Sequence, residues 1–298
     1  MNTEKHNLPR SVSCKLIDYI PVNKEIFRLN FSWETDVQTN QADLTSPEAQ
    51  PRTTAPKAGQ FFMIKPKRGS VFLGRPFSIL GTYRESNTLS FLIALRGRGT
   101  RELADLKAGE EVELTGPLGN AWIDFLPAVL SPGQAQSVPG QPEKDSKTIA
   151  LVAGGIGIAP LNALLCEETS YNFVLYAGFG KGFANIEEKD IFMGPAFRYA
   201  QEIIISTEDG TEGRKGLIPD FLEPDKYAAV CACGPEPMLK AVAAKSIAAG
   251  TPCFISAEQQ MACGVGACRG CTIQTIHGNR RCCADGPIFP AEELYGEK

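Results

Sequence analysis

The chain has 298 residues, of which 43% are hydrophobic, so it can bury more than one apolar core. Its formal net charge of −4 comes with no dense basic run, which argues against a nucleic-acid partner. Ten cysteines are too sparse for a disulfide scaffold, and their crowding into the last quarter favours metal binding in a reducing compartment.

The first ten residues are polar and carry no apolar signal-peptide core, so a cytoplasmic protein is expected. Two strands are predicted at residues 11–20 and 25–33, then a polar loop at 34–57. Strand patterns resume at 60–66, 76–83, 88–95 and 111–116, with a short helix at 101–106. Many short strands punctuated by Gly and Pro indicate a small antiparallel barrel. Residues 127–147 form a second polar stretch with no periodicity. Beyond it the rhythm changes. Buried-type strands at 148–153, 173–177, 202–206 and 228–232 alternate with helices at 160–168 and 236–249, the mark of a doubly wound parallel sheet. The longest apolar run, 149–165, is broken by Gly154, Gly155, Gly157 and Pro160 and is too short to span a membrane comfortably. Residues 252–298 are loop-rich and too few to bury much core, so a bound group is expected to supply cohesion.

Several motifs sit where strands end. Gly154-Gly155-Ile156-Gly157-Ile158-Ala159-Pro160 follows a strand and opens a helix, the geometry that receives nucleotide phosphates, although a tight structural turn reads the same way. Cys233-Gly234-Pro235-Glu236 occupies the same edge of the sheet, where ligands of open α/β sheets bind. Arg75-Pro76-Phe77-Ser78 opens a barrel strand, and Gly97-Arg98-Gly99-Thr100-Arg101 enters the short helix. Two phosphate-type sites on the barrel and one on the α/β domain suggest two nucleotides.

Near the C-terminus, Cys263, Cys268 and Cys271 follow Cys-x4-Cys-x2-Cys spacing, with Cys282 and Cys283 about a dozen residues on. This matches the plant-type arrangement for a [2Fe–2S] cluster. The interleaved Gly264, Gly266 and Gly270 allow backbone N–H groups to crowd toward sulfur. Zinc is the competing reading, but its ligands usually come as two similarly spaced pairs. Cys14, Cys166, Cys231 and Cys253 are scattered and read as inert thiols. Spacing alone leaves Cys282 and Cys283 open as the fourth ligand.

Together these residues resemble the ferredoxin–NADP reductase superfamily, and within it most nearly the electron transfer subunits of class 1B dihydroorotate dehydrogenases. The resemblance implies an α+β multidomain protein: a β-barrel FAD domain over residues 8–126 with its insertion at 34–57, a linker at 127–147, a doubly wound α/β NAD domain at 148–251, and a [2Fe–2S] domain at 252–298. Arg75, Pro76, Phe77 and Ser78 match the flavin motif, and Gly99 and Thr100 match the FAD pyrophosphate contact. Leu92, Ile93 and Ala94 fall on a further flavin segment, where the Arg common in the family is replaced by Ala94, leaving Arg96 or Arg98 to substitute. Gly154, Gly155, Gly157, Gly234 and Pro235 fall on the NAD(H) side, with Cys233 the catalytic candidate beside the nicotinamide. The family's fourth cluster cysteine stands one residue before Asp-Gly-Pro, which selects Cys283 alongside Cys263, Cys268 and Cys271. The implied function is electron transfer between NAD+ and a dihydroorotate dehydrogenase catalytic subunit bearing FMN, in pyrimidine biosynthesis, within a hetero-oligomer of two copies of each chain. A reductase subunit of a hydrogenase or transhydrogenase, or a zinc-bearing redox module, are the alternatives. NAD is favoured over NADP by Glu187 and Glu188 and the absence of an arginine cluster, while Lys181 and Lys189 keep NADP open.

Overall fold

The computed structural model describes residues 10–33, 55–83, 85–127 and 145–297. Most of the polar stretches at 34–57 and 127–147 lies outside the described residues.

The N-terminal half is one curled antiparallel sheet. It comprises β1 (Arg10–Pro21), β2 (Ile26–Ser32), β3 (Phe61–Pro66), β4 (Arg75–Ser78), β5 (Gly81–Tyr83), β6 (Thr88–Ala94) and β7 (Glu111–Leu118), in the order β4-β3-β7-β1-β2-β6-β5. The single strand expected at 76–83 is in fact two, and they occupy opposite edges of the sheet. The chain between them draws those edges together: Ile79 N donates to Gln60 O at 3.2 Å, and Leu80 N donates to Ser90 O at 2.9 Å. Phe27, Phe31, Phe62 and Phe91 fill the barrel and are at most 1% exposed. Each contributes about 1.5–3 kcal/mol by burial, which is why the alternating pattern of these strands holds its register. The short helix α1 (Arg98–Ala104) starts three residues earlier than expected.

The second sheet contains β8 (Asp145–Gly154), β9 (Asn172–Phe179), β10 (Glu202–Thr207), β11 (Arg214–Lys215), β12 (Tyr227–Cys233), β13 (Cys253–Ser256) and β16 (Ile288–Pro290), in the order β11-β10-β9-β8-β12-β13-β16. All neighbours are parallel except β13 and β16. The strand order reverses between β8 and β12, which creates a crevice at their carboxyl ends. Helices α2 (Ile158–Glu167), α3 (Ile186–Tyr199) and α4 (Glu236–Ala248) connect the strands. The sequence pattern did not disclose α3: it starts on an Asn185 side chain that accepts Glu188 N at 2.7 Å and carries Pro195 within it. Residues 252–298 are not a detached layer, since β13 and β16 complete this sheet. Between those two strands lie the cysteine loop, the hairpin β14 (Thr272–Thr275) and β15 (Gly278–Arg281), and the one-turn helix α5 (Cys282–Asp285); α6 (Ala291–Tyr295) follows. No helix among the described residues is long and apolar enough to cross a membrane.

The two sheets share a core. Val22, Leu80, Leu92 and Trp122 of the barrel pack with Ile158, Leu161 and Leu165 of α2. Two carboxylates of the α/β domain reinforce that contact: Glu167 accepts the buried Ala58 N–H at 2.6 Å, and Glu188 accepts the Asn23 amide at 2.6 Å. Replacing Glu167 by Leu should lower unfolding free energy by about 1–3 kcal/mol, because the Ala58 N–H is then buried without an acceptor. Glu167→Gln, which keeps an oxygen there, should lose less. Urea denaturation of the two variants measures the difference.

Candidate functional site

The cysteine loop is shaped by backbone conformations that side chains resist. Gly264 and Gly266 have φ of +70° and +79°, and a Cβ on Gly264 would lie 2.7 Å from Met63 Cγ. With the backbone turned this way, N–H groups point at sulfur. Val265 N and Cys268 N each donate to Cys263 Sγ at 3.4 Å, Gly266 N to Cys283 Sγ at 3.1 Å, and Gly270 N to Cys268 Sγ at 3.4 Å. Cys271 and Cys283 are buried with their sulfurs 3.2 Å apart, and Cys283 N donates back to Cys271 Sγ at 3.4 Å. Cys268 is exposed and Cys263 partly so. Cys282 faces elsewhere: its thiol is 0% exposed and donates to Ala257 O at 3.2 Å.

The thiols differ electrostatically. Desolvation pushes Cys263 up, but the N–H groups of Cys268, Val265 and Ala267, with the Cys268 side chain, outweigh it and bring the thiol down to about 7. Burial first, and then the hydrogen bond and charge of Cys271, push Cys283 up to about 12. A thiol pair packed this closely without solvent needs either protons or a metal between its sulfurs. Among the described residues no three Cys, His, Asp or Glu groups converge on a single-ion site. A [2Fe–2S] cluster does not require that, because it shares four thiolates between two irons. The donor set, its N–H shell and the glycine conformations fit such a cluster.

The loop rests on the barrel. Met63, Phe61 and Leu118 pack with Cys271, Cys282, Cys283 and Phe289 in one apolar cluster. Asn120 fastens the two units: its Nδ2 donates to Ile288 O at 2.8 Å, its Oδ1 accepts Ile288 N at 3.0 Å, and its backbone N donates to Gly286 O at 2.8 Å. Met63 pairs in register with Pro76, and Phe61 with Ser78. The cysteine loop therefore lies one strand away from the Arg75–Ser78 motif.

On β4, Arg75 Nη1 donates to Leu73 O at 2.8 Å and Gly74 O at 3.2 Å, and its Nε lies 2.9 Å from where a Cβ on Gly99 would stand. Arg75 and the first turn of α1 are thus brought together, where the sequence pattern had them as two separate sites. The Thr100 hydroxyl accepts Arg96 N at 2.9 Å and Gly97 N at 3.1 Å and donates to Gly97 O at 3.0 Å. With its donor and both acceptor positions used, Thr100 shapes the turn. Residues of β6 alternate: Leu92 joins the inter-domain core while Ile93 is sealed inside the barrel. Of the three candidate residues Leu92, Ile93 and Ala94, the first and last share the outer face. Of the two candidate substitute arginines, Arg98 is 72% exposed and 3.6 Å from Glu102, whereas Arg96 exerts its charge on Glu258.

At the switch crevice the glycines have distinct reasons. A Cβ on Gly154 would meet Pro235 Cδ at 2.6 Å, one on Gly157 would meet Cys233 O at 2.4 Å, and one on Gly234 would meet Gly154 N at 2.8 Å. Gly155 instead has φ +53° and open space around it, so its backbone is bare toward the crevice. Cys233 is 2% exposed, and burial, then the charge of Glu258, push it up to about 12 against a hydrogen bond from Ser256. It is a neutral thiol near pH 7. Glu258 is a residue that sequence reasoning missed. It stands two residues past β13, a four-residue strand too short to register as a pattern. Its side chain reaches solvent, yet the walls of the crevice desolvate the carboxyl and push it up, against the pull of Arg96. Glu188, expected to face the nucleotide, is buried in the first turn of α3, where it holds Asn23 and accepts Ala184 N at 2.7 Å. Lys189 pairs with Glu212 at 2.5 Å.

Comparison with known proteins agrees with this arrangement. Residues 258–295 match the model of the iron-sulfur cluster binding domain of dihydroorotate dehydrogenase B. The chain is 36% identical over 241 residues to the dihydroorotate dehydrogenase B (NAD(+)) electron transfer subunit of Clostridium acetobutylicum, covering 80% of this chain and 86% of that one. It is 37% identical over 238 residues to the subunit of the same name from Clostridium perfringens, with 80% and 86% covered. Among solved structures, the NADH-dependent reduced ferredoxin-NADP oxidoreductase superposes with a TM-score of 0.67 at 22% identity, over 94% of this chain and 89% of that one. A ferredoxin NADP+ reductase from Neisseria gonorrhoeae superposes at 0.55 and 16% identity, over 80% and 92%. These two structural likenesses speak to the fold, an antiparallel barrel joined to an α/β domain. The identity and coverage of the subunit relatives speak to the family: the chain belongs to the dihydroorotate dehydrogenase B electron transfer subunits.

Proposed function

We propose that this chain carries electrons between NAD(H), bound at the switch crevice, and a dihydroorotate dehydrogenase catalytic subunit, by way of FAD on the barrel and a [2Fe–2S] cluster in the cysteine loop. The observation that carries this reading is the seating of the cysteine loop on Met63, whose register partner belongs to the flavin motif. When bound, the flavin interconverts a hydride pair and single electrons, and the cluster takes single electrons only. Placement and electrostatics are left to the protein.

Cys263, Cys268, Cys271 and Cys283 are assigned to the cluster, with the N–H groups of Val265, Gly266, Cys268 and Gly270 directed at their sulfurs. Cys282 is left out of this assignment, since its thiol donates to Ala257 O. Arg75, Pro76, Phe77 and Ser78, with the turn at Gly99 and Thr100, are assigned to FAD, and Leu92 and Ala94 form the wall facing the α/β domain. Ile93 backs that wall from inside the barrel. Gly154, Gly155, Gly157, Gly234 and Pro235 are assigned to NAD(H). Cys233 lines the nicotinamide end as a neutral, buried thiol. The apolar floor of Phe61, Met63, Leu118 and Phe289 keeps water from the cysteine side of the barrel.

The open side of the loop is assigned to the catalytic subunit, in an assembly with two copies of each chain. Phe72 is 85% exposed, Leu73 41% and Val265 43%. They flank the same residue, since a Cβ on Gly74 would lie 3.3 Å from Met63 Cβ and one on Gly264 2.7 Å from its Cγ. Cysteines assigned as metal ligands fit a reducing, cytoplasmic setting, which is part of this proposal.

The assignment is tested by mixing this chain with its catalytic partner: NAD+-dependent dihydroorotate oxidation should require both, and the same rate from the partner alone would overturn it. Cys283→Ser should abolish [2Fe–2S] visible absorption while flavin absorption persists, and Cys282→Ser should keep both. Arg75→Ala should leave iron in place and weaken FAD retention about 10- to 100-fold, the value of a charged hydrogen bond. Gel filtration followed by absorption spectra reads both losses.

A further inference from the structure

Arg281 ends β15, immediately before the one-turn helix that carries Cys283. Its contacts with Asp285 form a fork. The backbone N donates to Oδ2 at 2.7 Å, Nε to Oδ2 at 3.2 Å, and Nη2 to Oδ1 at 3.0 Å. The remaining arm, Nη1, points the other way and lies 3.2 Å from where a Cβ on Gly266 would stand. Gly266 is the residue whose N–H donates to Cys283 Sγ at 3.1 Å. The guanidinium therefore stands against the turn of the loop whose N–H donates to the Cys283 sulfur. Arg280 faces the other side of the hairpin and is taken by Glu293 at 3.0 Å.

A carboxylate that merely neutralised this arginine would be expected to hold it away from the loop. Asp285 instead engages the side of the fork remote from Gly266 and fixes the cation in place. The function of a fixed cation beside the loop follows from charge. A [2Fe–2S] cluster held there would gain negative charge on taking up one electron, and a neighbouring positive charge would favour that state.

We infer that Arg281, oriented by Asp285, is a positioning residue that raises the reduction potential of the cluster held by Cys263, Cys268, Cys271 and Cys283. This rests on the cluster reading proposed above. The Arg281 side chain is 43% exposed, so solvent screens much of its field, and the expected effect on the reduction equilibrium is about three- to tenfold.

The test is a spectroelectrochemical titration of the cofactor-loaded chain in complex with its catalytic subunit. Arg281→Gln should retain iron and shift the midpoint to more negative potential, by an amount that shrinks as salt is raised. Arg281→Lys should stay near the wild-type value. A Gln variant with the wild-type potential would overturn the inference, and so would a Lys variant that shifts as far as Gln. Loss of iron from either variant would also overturn it, because the residue would then be holding the loop together. A wild-type chain without [2Fe–2S] absorption would instead remove the cluster reading itself, and is told apart before any variant is made.

Discussion

The contact between Gly264 and Met63 is the constraint on which the rest of this structure depends. No side chain fits between the cysteine loop and β3 there, so the loop backbone lies directly on the barrel. From that seat follow the apolar floor under Cys271 and Cys283, the adjacency of the loop to the Arg75–Ser78 strand, and the outward direction of Val265 and Cys268. Asn120, with hydrogen bonds from side chain and backbone to Gly286 and Ile288, keeps the seat from sliding.

Two kinds of cysteine environment occur in the chain, and their difference is a matter of donors. Cys263 is served by several backbone N–H groups and comes down to about 7, while Cys233 has burial and a nearby carboxylate and rises to about 12. The first environment favours a thiolate that binds metal. The second favours a small neutral side chain that lets a flat ring approach. The distinction needed coordinates, because a cysteine after a strand and one inside a glycine loop look alike as letters.

Much of the fold was legible in the order of residues. Barrel strands such as β2 and β7 alternate, and the apolar run of β8 followed by glycines has few other readings. What escaped were short or interrupted elements. The three- and four-residue strands β16 and β13 carry no period to detect, and their membership in the sheet is settled by pairing: β13 with β12, and β16 with β13 across the whole cysteine segment. Helix α3 was hidden by Pro195 and a charged first turn. Within the site, the three closely spaced cysteines and the glycines could be read from spacing. The choice between Cys282 and Cys283 could not, nor could the sealing of Ile93 inside the barrel or the use of Thr100 as a cap. Each is a question of which way a side chain turns, set by neighbours that are distant in the chain.

The pairing of Ser256 with Ile288 also has a bearing on assembly. It ties off the whole excursion that contains the five clustered cysteines, so the ends of that excursion are joined by backbone pairing and not by any bond to sulfur. Part of the conformational entropy of bringing Cys263 and Cys283 together is then met by the sheet. Because closure entropy grows only with the logarithm of length, about 0.6 kcal/mol per doubling, the hairpin between Cys271 and Cys283 is free to lengthen or shorten over evolution.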